Sequence, residues 1–296
     1  MPEITVVIPV FNSGRYLARC LDSVMNQSFR AIEIICINDA SSDGSGAILR
    51  DAQERDPRLR VLENGSNLGA AQSRNRGIAA AKGRFIRFLD ADDLLPLAST
   101  EVLYKRAVET GADVVRGSLA LFENDDLNRH SVVSVSDRRT TSFKAEPSVW
   151  VPWWHTSYLI SNDLIRANHL SYPNLRRGED PVFLATVLVH ARQISLLEDV
   201  VYCYRRYRKT TGSNAIAFAD VADNLRHAEM VESLFRAYHP DSWELGYGPF
   251  LLKHFGSILK RCQCGAQELE VLRHRMEKIW GPGAYVMESE RGVTGP

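Results

Sequence analysis

Short apolar runs that each end in a polar cluster dominate the first 120 residues of this 296-residue chain. Ile4 to Pro9 is a continuous, largely β-branched run, the mark of a strand covered on both faces. Ile32 to Ile37, Leu59 to Leu62 and Phe85 to Leu89 repeat it, and Asp113 to Arg116 begins a further strand. Between them the apolar period changes to that of a helix. Tyr16, Leu17, Cys20, Leu21, Val24 and Met25 predict a helix over 14–27, and others are expected over 45–54, 69–81 and 98–109. Lys82-Gly83 reads as the C-cap of the third. This order predicts an α/β fold, a mostly parallel sheet with helices on its faces. Such a sheet also says where a ligand goes, because its crevice lies at the carboxyl ends of the strands. Asn12, Asp39, Asn67 and the cluster Asp90 to Asp93 all follow strand ends.

Composition narrows the classes. Lys and Arg number 36, as do Asp and Glu, so there is no basic excess for a nucleic-acid binder and none is expected as a partner. With 45% hydrophobic residues the chain is not a disordered one. No apolar run approaches the roughly 18–20 residues of a membrane span. The start MPEITVVIPV lacks the basic region of a signal peptide. Cysteines 20, 36, 203, 262 and 264 are odd in number and form no disulfide framework, so a reducing, cytoplasmic setting is expected. Cys262 and Cys264, with His254 and His274, have poor spacing for structural zinc.

The stretch 120–180 is less regular and rich in Trp, Ser and Asn. A helix is expected over 182–191 and one or two strands over 194–204. From about 217 the pattern is helical, through Phe218, Val221, Leu225, Val231, Leu234, Phe235 and Tyr238, with further helices over 248–261 and 266–280. The tail from Gly281 is Gly-rich and reads as loose.

Three residue sets carry chemistry, each with a plainer alternative. Asp90-Ala91-Asp92-Asp93 places three mutually repelling carboxylates at a strand end, either a solvated turn or N-cap, or oxygen ligands for a divalent cation. Asp39 is either an Asx-turn residue or an acceptor for a nucleobase N–H, and Phe11 either a core ring or a stacking face for that base. Glu179-Asp180 is either a pair of helix N-terminal acids or a general base. No G-x-G-x-x-G follows the first strand, and no G-x-x-x-x-G-K-[ST] occurs.

Together V-V-I-P-V-F-N-S-G-R-Y-L (6–17), I-N-D-A-S-S-D-G-S (37–45), N-L-G-A-A-Q-S-R-N-R-G-I (67–78) and F-I-R-F-L-D-A-D-D-L-L-P (85–96) strongly resemble glycosyltransferase family 2 over about residues 3–120. Arg177 to Phe183 resembles the family's E-D motif, and Tyr202-x-Tyr204-Arg205 with Ser213 its closing strand. The resemblance implies a GT-A fold and an inverting enzyme that uses a nucleotide-diphosphate sugar, a UDP-sugar by expectation, with Mn²⁺ or Mg²⁺. It implies a catalytic domain over 1–215, with 1–120 binding the nucleotide sugar and 121–215 facing the acceptor, and a helical extension over 216–296. By the same resemblance Pro9, Phe11 and Asp39 line the base pocket, Arg74 contacts the nucleotide or its diphosphate, and Asp90 and Asp92 form the D-x-D signature with Asp92 as direct metal ligand. Asp180 is the implied base with Glu179 beside it. The usual D-D-G-S is here Asn38-Asp39-Ala40-Ser41.

Two further groups are expected to assist. Arg205, Arg206, Arg208 and Lys209 form a basic run, a solvated face or a clamp on a diphosphate through Arg205 and Arg208. Trp150, Trp153, Trp154 and His155 cluster before the E-D motif, as core or as an acceptor platform of Trp153, Trp154 and His155. The acceptor is expected to be a glycan or a lipid-linked chain. The helices after 216 have three open roles: a homodimer contact, a peripheral contact with the inner face of the membrane, and shaping the acceptor site. Competing functions are a nucleotidylyltransferase, which wants a basic Gly-rich loop that Asn12-Ser13-Gly14-Arg15 supplies poorly, and a non-catalytic nucleotide-sugar binder.

Overall fold

The structure, a computed structural model, describes residues 1–123, 126–150, 154–206, 217–243, 247–259, 261, 262, 264–282 and 284. The chain divides into two compact units, one of Met1–Tyr172 with Thr186–Arg208, the other of Pro173–Ala185 with Lys209–Pro296.

The first unit is built on β1 (Ile4–Val10), whose Ile4, Val6, Val7, Ile8 and Val10 are all buried. It lies between β2 (Ile32–Asn38) and β4 (Phe85–Phe88), with β3 (Leu59–Glu63) beyond β2, all parallel. Helices α1 (Leu17–Met25), α2 (Ser45–Arg55), α3 (Ala70–Ala80) and α4 (Ser99–Thr110) connect these strands and lead onward to β5 (Val114–Glu123). The α/β expectation therefore holds. Register fixes the site: Val10 pairs with Asn38 and Val7 with Phe88, so Phe11, Asp39 and Asp90 leave the sheet at one end.

Beyond β4 the sheet is mixed rather than parallel. The full order is β3-β2-β1-β4-β8-β5-β9-β7, with β6 (Asp126–Val133) paired to β5, β7 (Arg138–Thr141), β8 (Tyr158–Ser161) and β9 (Ile194–Arg206). β8 runs antiparallel to both β4 and β5, whereas β5 and β9 are parallel. Among its described residues the irregular stretch 120–180 thus contains β6, β7 and β8, two single-turn 3₁₀ segments and α5 (Asn162–Ala167). The expected strand or two after 194 is one strand, with register shifts against β5 between Arg116 and Ser118 and between Ser118 and Leu119.

Gly83 serves a different purpose from the expected one. Helix α3 ends at Ala80 with Ala81 as an extended cap, and Gly83 does not take a positive φ. A Cβ on Gly83 would lie 2.5 Å from the backbone N of Thr5, so glycine is required there for close approach to β1. The backbone N–H groups of Lys82 and Gly83 donate to Glu33 Oε1, which also accepts from Thr5 Oγ1.

In the second unit α7 (Phe218–Tyr238) buries Val221, Leu225, Ala228, Val231 and Phe235. It packs with α9 (Gly248–Leu259) and α10 (Ala266–Trp280), and the short α8 (Pro240–Ser242) follows it. Cys262 and Cys264 are joined as a disulfide, a pairing that the one-residue spacing did not announce. Among the described residues no helix is long and apolar enough to cross a membrane.

His227 on α7 is 1% exposed, and among the described residues neither ring nitrogen has a hydrogen-bond partner. Burial, with the nearby His254 as a lesser cause, lowers its pKa to about 4. Because this folded-state value lies below the unfolded one of about 6.5, the contribution to stability is full above pH 6.5 and is lost as pH falls towards 4. His227→Leu is therefore expected to remove about 3 kcal/mol of the wild type's loss between pH 7 and pH 4. Urea unfolding at both pH values checks this, and equal acid sensitivity of the two proteins contradicts it.

Candidate active site

The loops after β1 and β2 are sewn together by short polar side chains. Asn12 N–H donates to Ser41 Oγ, Ser42 N–H to Asn12 Oδ1, and Gly14 N–H to Asp43 Oδ2. The hydrogen bonds from Ser45, with a smaller one from Gly14, hold the Asp43 carboxyl below its ordinary value. Ala40 stands where the family pattern has glycine, and its φ of 57° lies in the left-handed region that favours glycine. Phe11 is 48% exposed at the end of β1, with Pro9 two residues before it and half-buried.

Asp39 is more enclosed than a simple base-reading residue needs to be. It is 3% exposed; Oδ1 accepts from Asn64 Nδ2 at 2.6 Å and from Leu68 N–H at 2.9 Å, and Oδ2 from Gly69 N–H at 2.8 Å. Its carboxylate therefore organises the loop that starts α3, 29 and 30 residues on, rather than the local Asx turn the alternative reading expected; Ser41 N–H donates to Asn38 Oδ1 instead. By lone-pair count one acceptor direction is left over, on Oδ2.

The Asp90–Asp93 turn divides its three carboxylates into two kinds. Asp93 N–H closes the turn onto Asp90 O at 3.0 Å. The Asp93 side chain is 1% exposed and accepts from Tyr202 Oη at 2.7 Å and from Arg205 N–H at 2.6 Å. Burial, then the charges of Asp90 and Asp92, push its carboxyl well above the carboxylate range. Tyr202 Oη also accepts from Asp90 N–H at 3.1 Å, and burial pushes the phenol up as well. Arg205 Nε donates to Asp92 O at 2.6 Å, with the guanidinium between the rings of Tyr16 and Phe122. Leu94 and Cys203 exchange backbone hydrogen bonds beside them.

Asp90 and Asp92 are left half-buried on this held turn. Asp90 forms an ion pair of 2.8 Å with Arg74, whose guanidinium lies over Tyr172. Two hard oxygen donors on a rigid turn suit Mg²⁺ or Mn²⁺. Among the described residues no group of three His, Cys, Asp or Glu is placed to hold a metal. The donor set thus fits a cation that takes the rest of its shell from a ligand's phosphates and from water.

Other expected residues fall elsewhere. Arg205 was read as a diphosphate clamp, yet it is buried and bonds the turn itself. Of the two readings of His155, core residue or part of a sugar platform, its burial against Phe88 and Tyr172 supports the core. Trp150 is buried, and Trp154 is half-buried against the core of the first unit. Trp153, Arg208 and Lys209 lie outside the described residues. Glu179 and Asp180 belong to the second unit and open α6 (Glu179–His190), three residues before its expected start. Both acids therefore stand on a helical first turn, where the reading as helix N-terminal acids places them, and Gly178 just before them has a φ of 86°. Sequence reasoning missed Tyr202 as a partner of Asp93, although the Tyr202-x-Tyr204-Arg205 motif was its visible signal.

Glycosyl transferase family 2 matches residues 5–165. GlyG, a glycosyltransferase of Streptococcus pneumoniae serotype 4, is 33% identical over 216 residues, covering 69% of this chain and 70% of GlyG. EpsJ of Bacillus subtilis, named as an uncharacterized glycosyltransferase, is 30% identical over 215 residues, covering 69% of this chain and 61% of EpsJ, so the chain spans less than two thirds of that relative. S. aureus TarS 1–349, solved with UDP-GlcNAc, superposes with a TM-score of 0.66 at 16% identity, covering 99% of this chain and 92% of that one. The mannosyltransferase PcManGT from Pyrobaculum calidifontis, solved with GDP-Man and Mn²⁺, gives 0.60 at 16% identity, covering 99% and 87%. The fold is that of the GT-A enzymes, and the chain belongs to glycosyltransferase family 2.

Tyr202→Phe removes the hydroxyl shared by Asp93 and Asp90 N–H inside the protein. It is expected to cost about 1–3 kcal/mol, the price of leaving buried polar groups unpaired. Chemical denaturation compares the variant with the wild type, and equal midpoints contradict the assignment.

Proposed function

We propose that this glycosyltransferase moves a sugar from a UDP-linked donor to a hydroxyl of a glycan or lipid-linked acceptor, by a single displacement that inverts the anomeric centre. The observation that carries the proposal is the division of the Asp90–Asp93 turn, with one carboxylate buried as an anchor and two left half-exposed at the carboxyl ends of the parallel strands. TarS, solved with UDP-GlcNAc, supports a UDP donor, and PcManGT, solved with GDP-Man and Mn²⁺, supports a divalent cation.

In this reading the uracil stacks on Phe11 beside Pro9, and its single N3–H donates to the remaining acceptor direction of Asp39 Oδ2. Asp92 and Asp90 hold the divalent cation. When bound, that cation supplies Lewis-acid stabilisation of the charge that develops on the leaving diphosphate. Arg74 holds Asp90 in place and adds a positive charge at the same end of the sheet. A sugar hydroxyl is a weak nucleophile, so a carboxylate must accept its proton as the glycosidic bond forms. Asp180 is assigned that role through its match to the E-D motif, with Glu179 beside it.

Asp180→Asn keeps the size of the side chain and removes the basic oxygen. Transfer is expected to fall by roughly 10²–10⁴-fold while UDP still binds. The measurement is UDP release across a panel of UDP-sugars and acceptors with Mn²⁺, paired with calorimetry of UDP binding. Full activity in this variant overturns the base assignment. Absence of transfer by the wild type across the panel favours a non-catalytic nucleotide-sugar binder.

A further inference from the structure

The three residues that lead into the acid pair each meet α7, and at successive points along one of its faces. The Arg177 guanidinium lies 3.6 Å from Asp220 Oδ1. Arg176 N–H donates to Asp223 Oδ2 at 3.0 Å. Gly178 packs on His227 so closely that a Cβ there would stand 2.6 Å from His227 Cβ and 2.9 Å from its ring. Positions 220, 223 and 227 are spaced by three and four residues, which places them on one side of a helix. Gly178 is thereby fixed for two separate reasons, its φ of 86° and the lack of room beside His227.

We propose that α7 is the positioning element of the acid pair, with Asp220, Asp223 and His227 holding residues 176–178 so that Glu179 and Asp180 start their helix in one fixed orientation. The inference deepens the proposed function and rests on its assignment of Asp180 as base. It gives the first helix of the C-terminal extension a part in catalysis without contact with substrate. His227 acts here through its shape. Buried, without a hydrogen-bond partner among the described residues and held neutral with a pKa of about 4, it fills the space beside Gly178. Asp223 acts through a carboxylate oxygen that accepts a backbone N–H, which an amide oxygen also does.

The test uses the full chain in five variants: Asp223→Ala, Asp223→Asn, His227→Ala, His227→Leu and Asp180→Asn. Asp223→Ala and His227→Ala are expected to lower kcat by roughly 10–100-fold, the scale of a small misplacement of a reacting group, with the UDP Kd and donor KM unchanged. Asp223→Asn and His227→Leu restore most of kcat, because the acceptor oxygen and the side-chain bulk are kept. Wild-type kcat in Asp223→Ala and His227→Ala, beside an inactive Asp180→Asn, overturns this inference alone. A kcat in His227→Leu as low as in His227→Ala also overturns it, since the imidazole itself would then be required. If His227→Ala does not fold, the exposed hydrogen bond of Asp223 decides the matter through its Ala and Asn variants. An active Asp180→Asn removes the base assignment and this inference with it.

Discussion

The burial of Asp93 beneath two other carboxylates is the interaction on which the site depends. Such a group is costly inside a protein unless its oxygens are hydrogen-bonded, and its own neighbours oppose its ionisation. Tyr202 Oη and Arg205 N–H supply both bonds, and both come from β9. In the sheet β9 is separated from β4 by β8 and β5. The hydrogen bonds of Asp93, Leu94 and Asp92 O therefore tie the turn after β4 to a strand that is not its neighbour. Once Asp93 is anchored, the backbone direction of Asp90 and Asp92 is set.

The same region is fastened from within the sheet. Arg87 on β4 is fully buried and donates to Ser99 Oγ, Thr100 Oγ1 and Val201 O. Burial lowers its pKa to about 10, so it remains a cation at neutral pH. At the end of β2 Asp39 has a similar part, since its carboxylate gathers the backbone N–H groups of Leu68 and Gly69 at the start of α3, the helix that carries Arg74 to Asp90. Asp39 and Asp93, the buried acids at these strand ends, both shape loops through their hydrogen bonds.

Much of this was legible in the sequence. The buried runs of β1, β2 and β4 show because a strand covered on both faces must be apolar throughout, and Asp90 to Asp93 shows because carboxylates are seldom so crowded without cause. The separate fate of Asp93 was not legible, because its partners lie 109 and 112 residues away. Gly83 misled for the same reason: Lys-Gly after a helix is a good local C-cap, but the requirement comes from Thr5, 78 residues earlier. β7 was hidden because its residues are mostly exposed and polar, so no apolar alternation marks it. Helix α6 begins earlier than its apolar pattern does, since the acids and Pro181 that open it suit a first turn without contributing to a buried face. Residue type left His155 open between core and ligand and gave Arg205 only a solvated face or a diphosphate clamp, and packing makes both interior groups.

The central claim is that the anchored turn presents Asp92, with Asp90, to a divalent cation that joins it to a nucleotide diphosphate. Calorimetric titration of UDP into the full chain, with and without Mn²⁺, tests it most directly when Asp92→Ala is measured alongside. The account predicts that Mn²⁺ tightens UDP binding to the wild type, and that Asp92→Ala abolishes this gain while its affinity without metal stays that of the wild type. A UDP affinity that is indifferent to Mn²⁺, or an undiminished Mn²⁺ effect in Asp92→Ala, contradicts it.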